Sequence, residues 1–320
     1  MSSAGIREWF RVCRVVVGAW GQGVELSNLR IAFEVVKTVD AIPNSATIRV
    51  YNLNNDNVAA IQQDYEDVII KAGYAGGEAQ IFAGNIQYVS HYRQGPDYIT
   101  EITAADGDRD YRNAYISETL AAGTTDVDVV DRCIGNMTKT RKGTVQISGA
   151  PQSRGTVLQG PVREILSQVA MSNACNWSIQ DGQLQMVRAD SKIGQAIVVS
   201  AQTGLLEAPE RNDKGIAARC LLNPNFHING VIKLDNEAIR VKAAKPKILK
   251  QERHERPPVR LNPDGIYKII KLTHSGDNRG NEWYSLLECI DPAQPIPTTR
   301  TSVRGGAVPV GGADWGESWQ

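Results

Sequence analysis

GNIQYVSHYRQGPDYITEITAAD, residues 84–106, reads as a hairpin: a strand opens at Gly84 and runs to His91, Gly95-Pro96-Asp97 turns, and a second strand ends at Asp106. Late in the chain GIYKIIKLTHSGDNRGNEWYSLLECID, residues 265–291, repeats the plan. Gly265 opens a strand that runs to His274, Gly276-Asp277-Asn278 makes the turn, and the second strand ends at Asp291. Upstream of each lies a related run, TIRVYNLN at Thr47–Asn54 and AARCLLN at Ala217–Asn223. Self-similarity of this kind points to two β-modules of common plan, one on each side of the intervening sequence.

Around the first run, strands are expected at Arg11–Val17, Arg30–Lys37, Thr47–Leu53, Asp67–Tyr74, Ala79–His91 and Asp97–Ala105, all rich in Val, Ile and Phe. Pro43-Asn44-Ser45 supplies a turn, and Asn54 or Asn55 caps a short helix to Tyr65 with Val58, Ile61 and Tyr65 on one face. The texture changes near residue 118. Thr125 caps a helix through Met137, with Val127, Val130 and Ile134 on its apolar face. A second helix starts at Pro161 and turns Val162, Ile165, Leu166, Val169 and Ala170 inward. Trp177–Gln180 and Gln183–Val187 alternate around Asp181-Gly182, a strong hairpin signal. Strands return at Gly215–Leu222, Gly230–Asp235, Gly265–Thr273 and Trp283–Ile290.

The fold class is therefore mainly β with an α+β insertion. The division expected is a first β-domain over 1–117, the insertion over 118–204, a second β-domain over 205–295 and a Gly/Pro-rich tail over 296–320. An unstructured tail has no internal use for tryptophan, so Trp315 and Trp319 are candidate docking residues.

Composition narrows the function. The 320 residues carry 35 basic and 35 acidic side chains, so no overall field draws the protein to nucleic acid or an anionic membrane. No run approaches the roughly 18 apolar residues of a membrane span, and the N-terminus lacks a signal-peptide core, so the protein is expected to stay where it is made. Residues 1–120 hold 10 basic and 15 acidic side chains and residues 205–295 hold 15 and 12. That asymmetry suits subunits that meet one another, or a chain that satisfies itself. The 5 cysteines are scattered without a CxxC spacing and read as reduced, mostly buried thiols.

Chemistry is sparse. His91, His227, His254 and His274 are far apart and show no metal-ligand spacing, and Cys220 with His227 makes only half a site. No GxSxG elbow, SxxK motif or phosphate-binding loop is present, and Gly18–Gly23 is a β-turn region rather than an anion cradle. Asp106, Asp108 and Asp110 cluster at a strand end, the one arrangement from which a cell-wall hydrolase could draw two carboxyls. Their polar surroundings offer nothing to raise a pKa, and a solvated loop or helix cap is the plainer reading. Lys242–Arg260 is basic but has no interleaved aromatics, which fits a solvated or subunit-contacting loop. No catalytic, cofactor or metal residues are assigned, and the surfaces are expected to do the work.

Five segments taken in order resemble the tail hub family of bacteriophages, late-control protein D and the hubs of contractile tails. They are Pro43–Asn54, Gly84–Asp106, the helix and hairpin of Pro161–Val187, Ala218–Gly230 and Gly265–Trp283. The resemblance implies two tube-like β-barrel domains flanking the insertion, so that a homotrimer forms a pseudo-sixfold ring. It implies a structural virion protein that joins the sixfold tail tube, or a tube initiator, to a threefold central spike. Wedge proteins of the baseplate would surround it, and tape measure protein and DNA would pass through during ejection. No cofactor, membrane or sequence-specific nucleic acid is implied. The expected location is the virion tail baseplate, assembled in the host cytoplasm. The rival is a tail-associated peptidoglycan hydrolase using Asp106, Asp108 or Asp110.

Overall fold

The structure, a computed structural model, describes residues 10–19, 22–147, 149–188, 190–212, 215–241 and 261–292. The first module comprises β1 (Arg11–Ala19), β2 (Gln22–Glu25), β3 (Ile31–Thr38), β4 (Ser45–Tyr51), α1 (Asn55–Gln63), β5 (Asp67–Tyr74), β6 (Ala79–Gln94) and β7 (Asp97–Ala105). Period-two burial sets its faces: Ile31, Phe33 and Val35 of β3 and Ala46, Ile48 and Val50 of β4 enter one core with Val15, Ile70, Phe82 and Ile102. The Asn54 side chain accepts the Asn57 N–H and caps α1, which buries Val58 and Ile61.

The insertion holds α2 (Asp108–Asn113), β8 (Tyr115–Leu120), α3 (Asp126–Gly135), β9 (Arg141–Val145), β10 (Thr156–Pro161), α4 (Val162–Ser172), β11 (Cys175–Gln180) and β12 (Gln183–Arg188). Thr125 and Asp128 close a reciprocal capping box on α3. The buried face of α3 is Val129, Val130 and Cys133; of the expected Val127, Val130 and Ile134, Val130 is buried, Ile134 is partly buried against the same core and Val127 is half-buried. Cys133 packs as a small apolar side chain, which hydropathy spacing undervalued. The α4 face is as expected, and Trp177 on β11 donates to Ser167 Oγ of α4 at 3.0 Å. Strands β8 and β10 form a ribbon, while β12 pairs with β11 antiparallel and with β9 parallel. Helix α2 and strands β8, β9 and β10 are short and had no periodicity to announce them.

The last module comprises β13 (Ile193–Val198), β14 (Glu210–Asn212), β15 (Gly215–Leu221), β16 (Gly230–Lys233), β17 (Arg240–Val241), β18 (Ile266–Asp277) and β19 (Trp283–Ile290). Strand β13 lies before residue 205, yet it pairs with β16. A third core gathers Ile216, Phe226, Ile232, Tyr267, Leu272 and Leu287.

The two β-modules share a single 14-stranded sheet, because β3 pairs antiparallel with β18 from Lys271↔Thr38 to Asp277↔Ala32. The hydrogen-bonded path runs open from β17 to β2, and among the described residues no ladder closes either module into a barrel. The outer edge of β3 is spent on β18, so it cannot close its own module.

The repeat read in the sequence is present as geometry. The order β3-β4-β7-β6-β5-β1 is matched strand for strand by β14-β15-β19-β18-β16-β13. The hairpin β6–β7 slips register between Ile86 and Tyr88, and β18–β19 slips between Ile269 and Lys271. Counted from that bulge, His91 faces Thr100 as His274 faces Ser285, and Asp106 follows one hairpin as Asp291 follows the other. Thr47 faces Thr103 on the rung where Ala217 faces Glu288, so the TIRV and AARC runs occupy the same place. One difference stands at the rim: β1 is antiparallel to β5, whereas β13 is parallel to β16.

Candidate functional site

The sequence offered Asp106, Asp108 and Asp110 as its one reactive cluster, and the structure uses Asp106 and Asp110 as joints between distant segments. Asp106 follows β7 and is 1% exposed. Its carboxylate accepts the backbone N–H groups of Asp181 at 2.5 Å and Gly182 at 2.9 Å. Those two residues form the β11–β12 turn, both at positive φ (53° and 76°), as a primed hairpin turn requires. Burial first, then the nearby charge of Asp181, pushes the Asp106 carboxyl up to about 6. This corrects the expectation of a solvated cluster with nothing to raise a pKa, because the insertion's hairpin covers it.

Asp110, on α2, is also buried. It accepts from the N–H groups of Thr138, Lys139 and Thr140 and from the hydroxyls of Thr138 and Thr140, at 2.7–2.9 Å. Those hydrogen bonds outweigh burial and hold it below the usual carboxylate range. Asp108 pairs with Arg112 one turn along the same helix at 2.8 Å. Each carboxylate is thus committed to backbone or arginine, and the cluster presents no pair across a cleft.

The turn capped by Asp106 is also held from β3. Lys37 Nζ lies 2.8 and 2.6 Å from the two carboxylate oxygens of Asp181. Asn44 Nδ2 donates to Ile179 O and Gln180 Oε1, and Gln180 Nε2 donates to Thr38 O. A polar cavity of about 200 Å³ opens beside it, lined by Lys37, Gln180, Asp181, Gln183, Gln185 and His227, so all three modules meet there. Burial and the Lys37 charge lower the His227 pKa. This joint was missed in the sequence, since no local signal connects Lys37 with a turn far along the chain.

Among the described residues no group of three or more His, Cys, Asp or Glu could hold a metal ion, and no helix is long and apolar enough to cross a membrane. The five cysteines are free and buried, as expected, and burial raises the Cys13, Cys133 and Cys220 thiols to about 12. Trp315, Trp319 and the basic loop Lys242–Arg260 lie outside the described residues.

The seam between β3 and β18 is held by aromatic and charged contacts. Phe33 meets Trp283 edge-on at 5.7 Å, Arg30 pairs with Asp277 at 2.7 Å, and Arg11 Nη1 donates to Gly280 O at 2.6 Å. On the counterpart hairpin no described strand plays this part. Strand β6 pairs with β5 only as far as Asn85, and beyond Ile86 its sole ladder among the described residues is with β7. Tyr88, Tyr92 and Tyr98 are 66%, 40% and 48% exposed there.

Residues 12–238 match the family model described as baseplate hub gp41. No curated protein sequence matches the chain. Among solved structures, the 43 kDa tail protein of prophage MuSo2 from Shewanella oneidensis is 11% identical, with a TM-score of 0.56 over 89% of this chain and 100% of that one. The tail protein from Neisseria meningitidis MC58 is 8% identical, with a TM-score of 0.57 over 88% of this chain and 97% of that one. The Escherichia coli c3393 protein, a type VI secretion component with structural similarity to the T4 tail proteins gp27 and gp5, is 8% identical, with a TM-score of 0.55 over 88% and 79% of the two chains. At such identities the likeness is one of fold.

Proposed function

The chain belongs to the baseplate hub gp41 family, and from that premise we propose that it is a structural protein whose three copies close into the hub of a phage tail. The observation that carries this reading is the duplication: two modules with one strand order, one bulge position and one histidine–hydroxyl rung, side by side in one sheet. Two like modules per chain give three chains six like faces, which meet a sixfold tube on one side and a threefold spike on the other. Tape measure protein and DNA would pass through the ring without base-specific contact, in keeping with the neutral overall charge. Wedge proteins would meet its outer rim. Three separate cores support the expected order of a first β-domain, an insertion and a second β-domain, with the insertion's core already including Ala114 and Ile116, ahead of the expected start at residue 118, and β13 lending a strand from its end to the last module. The tail with Trp315 and Trp319 is the proposed docking segment for the spike.

Mass in solution tests the reading. Light scattering over a range of concentrations is expected to find a species of three times 35.0 kDa. A chain that stays a monomer at every concentration would overturn it.

A further inference from the structure

Among the described residues the β6 edge away from β7 is unpaired beyond Ile86, whereas its counterpart in the last module is paired. Matching the two hairpins at their bulges sets Tyr88–Gln94 of β6 against Lys271–Asp277 of β18, the stretch that pairs with β3. The same positions differ in exposure. His274, Ser275, Gly276 and Asp277 are buried, whereas Tyr92, Arg93 and Gln94 are exposed and His91 is half-buried. Across the turn, Trp283 is 2% exposed beneath Phe33, and its counterpart Tyr98 is 48% exposed. The first module thus carries the surface that, in the last module, a neighbouring β3 covers. An unpaired strand edge of this length is a template for another strand.

The strand to fill it is fixed by the same correspondence. In the last module β14 stands where β3 stands in the first, and Glu34 opposite Thr47 matches Glu210 opposite Ala217. We propose that the β6 edge of one copy pairs antiparallel with β14 of a second copy, continuing the sheet head to tail from chain to chain. Carrying over the β18–β3 register places Tyr92 opposite Glu210 and His91 opposite Arg211, as Ser275 lies opposite Glu34 and His274 opposite Val35. In the single chain the two residues of β17 lie along that edge of β14, and the neighbour's β6 takes their place. Because the contact joins one edge to a different edge, it is heterologous and builds a ring rather than a twofold pair. The inference rests on the trimeric reading above and names the surface that closes it.

Two experiments on the full chain test it. The double variant Tyr92→Cys with Glu210→Cys is expected to give covalent dimers and trimers on mild oxidation, with each single variant remaining at one chain length. Directly opposed residues of antiparallel strands have Cβ atoms about 4.5–5.5 Å apart, near enough to bridge with slight adjustment. Separately, Tyr92→Glu sets like charges opposite each other and is expected to weaken assembly roughly fivefold per interface, with Glu210→Lys in the same chain restoring it. A trimer that neither cross-links through this pair nor responds to Tyr92→Glu would overturn the contact and leave the ring standing. Cross-linking by Tyr92→Cys alone would mean that two β6 edges meet, which also overturns it. A strict monomer would remove the ring and the contact together.

Discussion

His274 Nδ1 lies 2.8 Å from Ser285 Oγ across β18 and β19, and both side chains are buried. Burial drives the imidazole pKa down to about 3, with the charges of Lys37 and His227 acting in the same direction. A depressed folded-state pKa means that the neutral ring is the form the fold accepts. Its stabilising contribution is therefore present above about 6.5 and is lost as the pH falls towards 3. His274→Gln keeps a polar partner for Ser285 without a group that must charge. Urea denaturation at pH 7 and pH 4 is expected to show a smaller loss on acidification for the variant than for the natural chain. Equal losses would count against this account.

Asp106 runs the other way. With its folded pKa raised to about 6 from 3.8, its contribution is fully present below 3.8 and is lost as the pH rises through 6. Asp106→Ala leaves the Asp181 and Gly182 N–H groups without their acceptor and is expected to cost about 1–3 kcal/mol. The cost should be larger at pH 4.5 than at pH 7, and a carboxyl NMR titration should show a midpoint near 6 in place of 3.8.

The seam between the β-modules offers a paired test. A Cβ added at Gly276 would stand 2.5 Å from a Phe33 ring atom and 2.9 Å from Trp283. Gly276→Ala is expected to destabilise by about 1–3 kcal/mol through overpacking. Arg93 holds the counterpart position on the exposed β6 edge, so Arg93→Ala should leave the stability of the single chain within about 0.5 kcal/mol. Thermal melts of the two variants read both values.

What the sequence disclosed is what repeats or alternates locally. The α4 face, the Asp181-Gly182 turn and the paired hairpins were legible because each is a short run with its own period or turn residue. The β3–β18 pairing was not, since Phe33 and Trp283 belong to different modules and nothing in either run names the other. The same distance hid the acid cluster's role: Asp106 looked solvated until a turn some 75 residues further on closed over it. Asp110 likewise found its partners in the Thr138–Thr140 loop rather than nearby.

The committed carboxylates imply that the purified protein clears no band on a zymogram of cell-wall material, and that Asp108→Asn changes nothing. A lytic band abolished by that substitution would favour the hydrolase alternative. Deleting residues 296–320, the proposed docking segment with Trp315 and Trp319, is expected to reduce capture of the proposed spike partner. Undiminished capture would remove the tail from the docking role.

In the proposed ring the two modules of one chain occupy equivalent places. Electron microscopy of the purified assembly tests it most directly. The account predicts end-on views with six similar lobes around an open centre, reduced to threefold symmetry by the insertions. A compact particle without a central opening, or a ring with three lobes and no near-sixfold repeat, would contradict it.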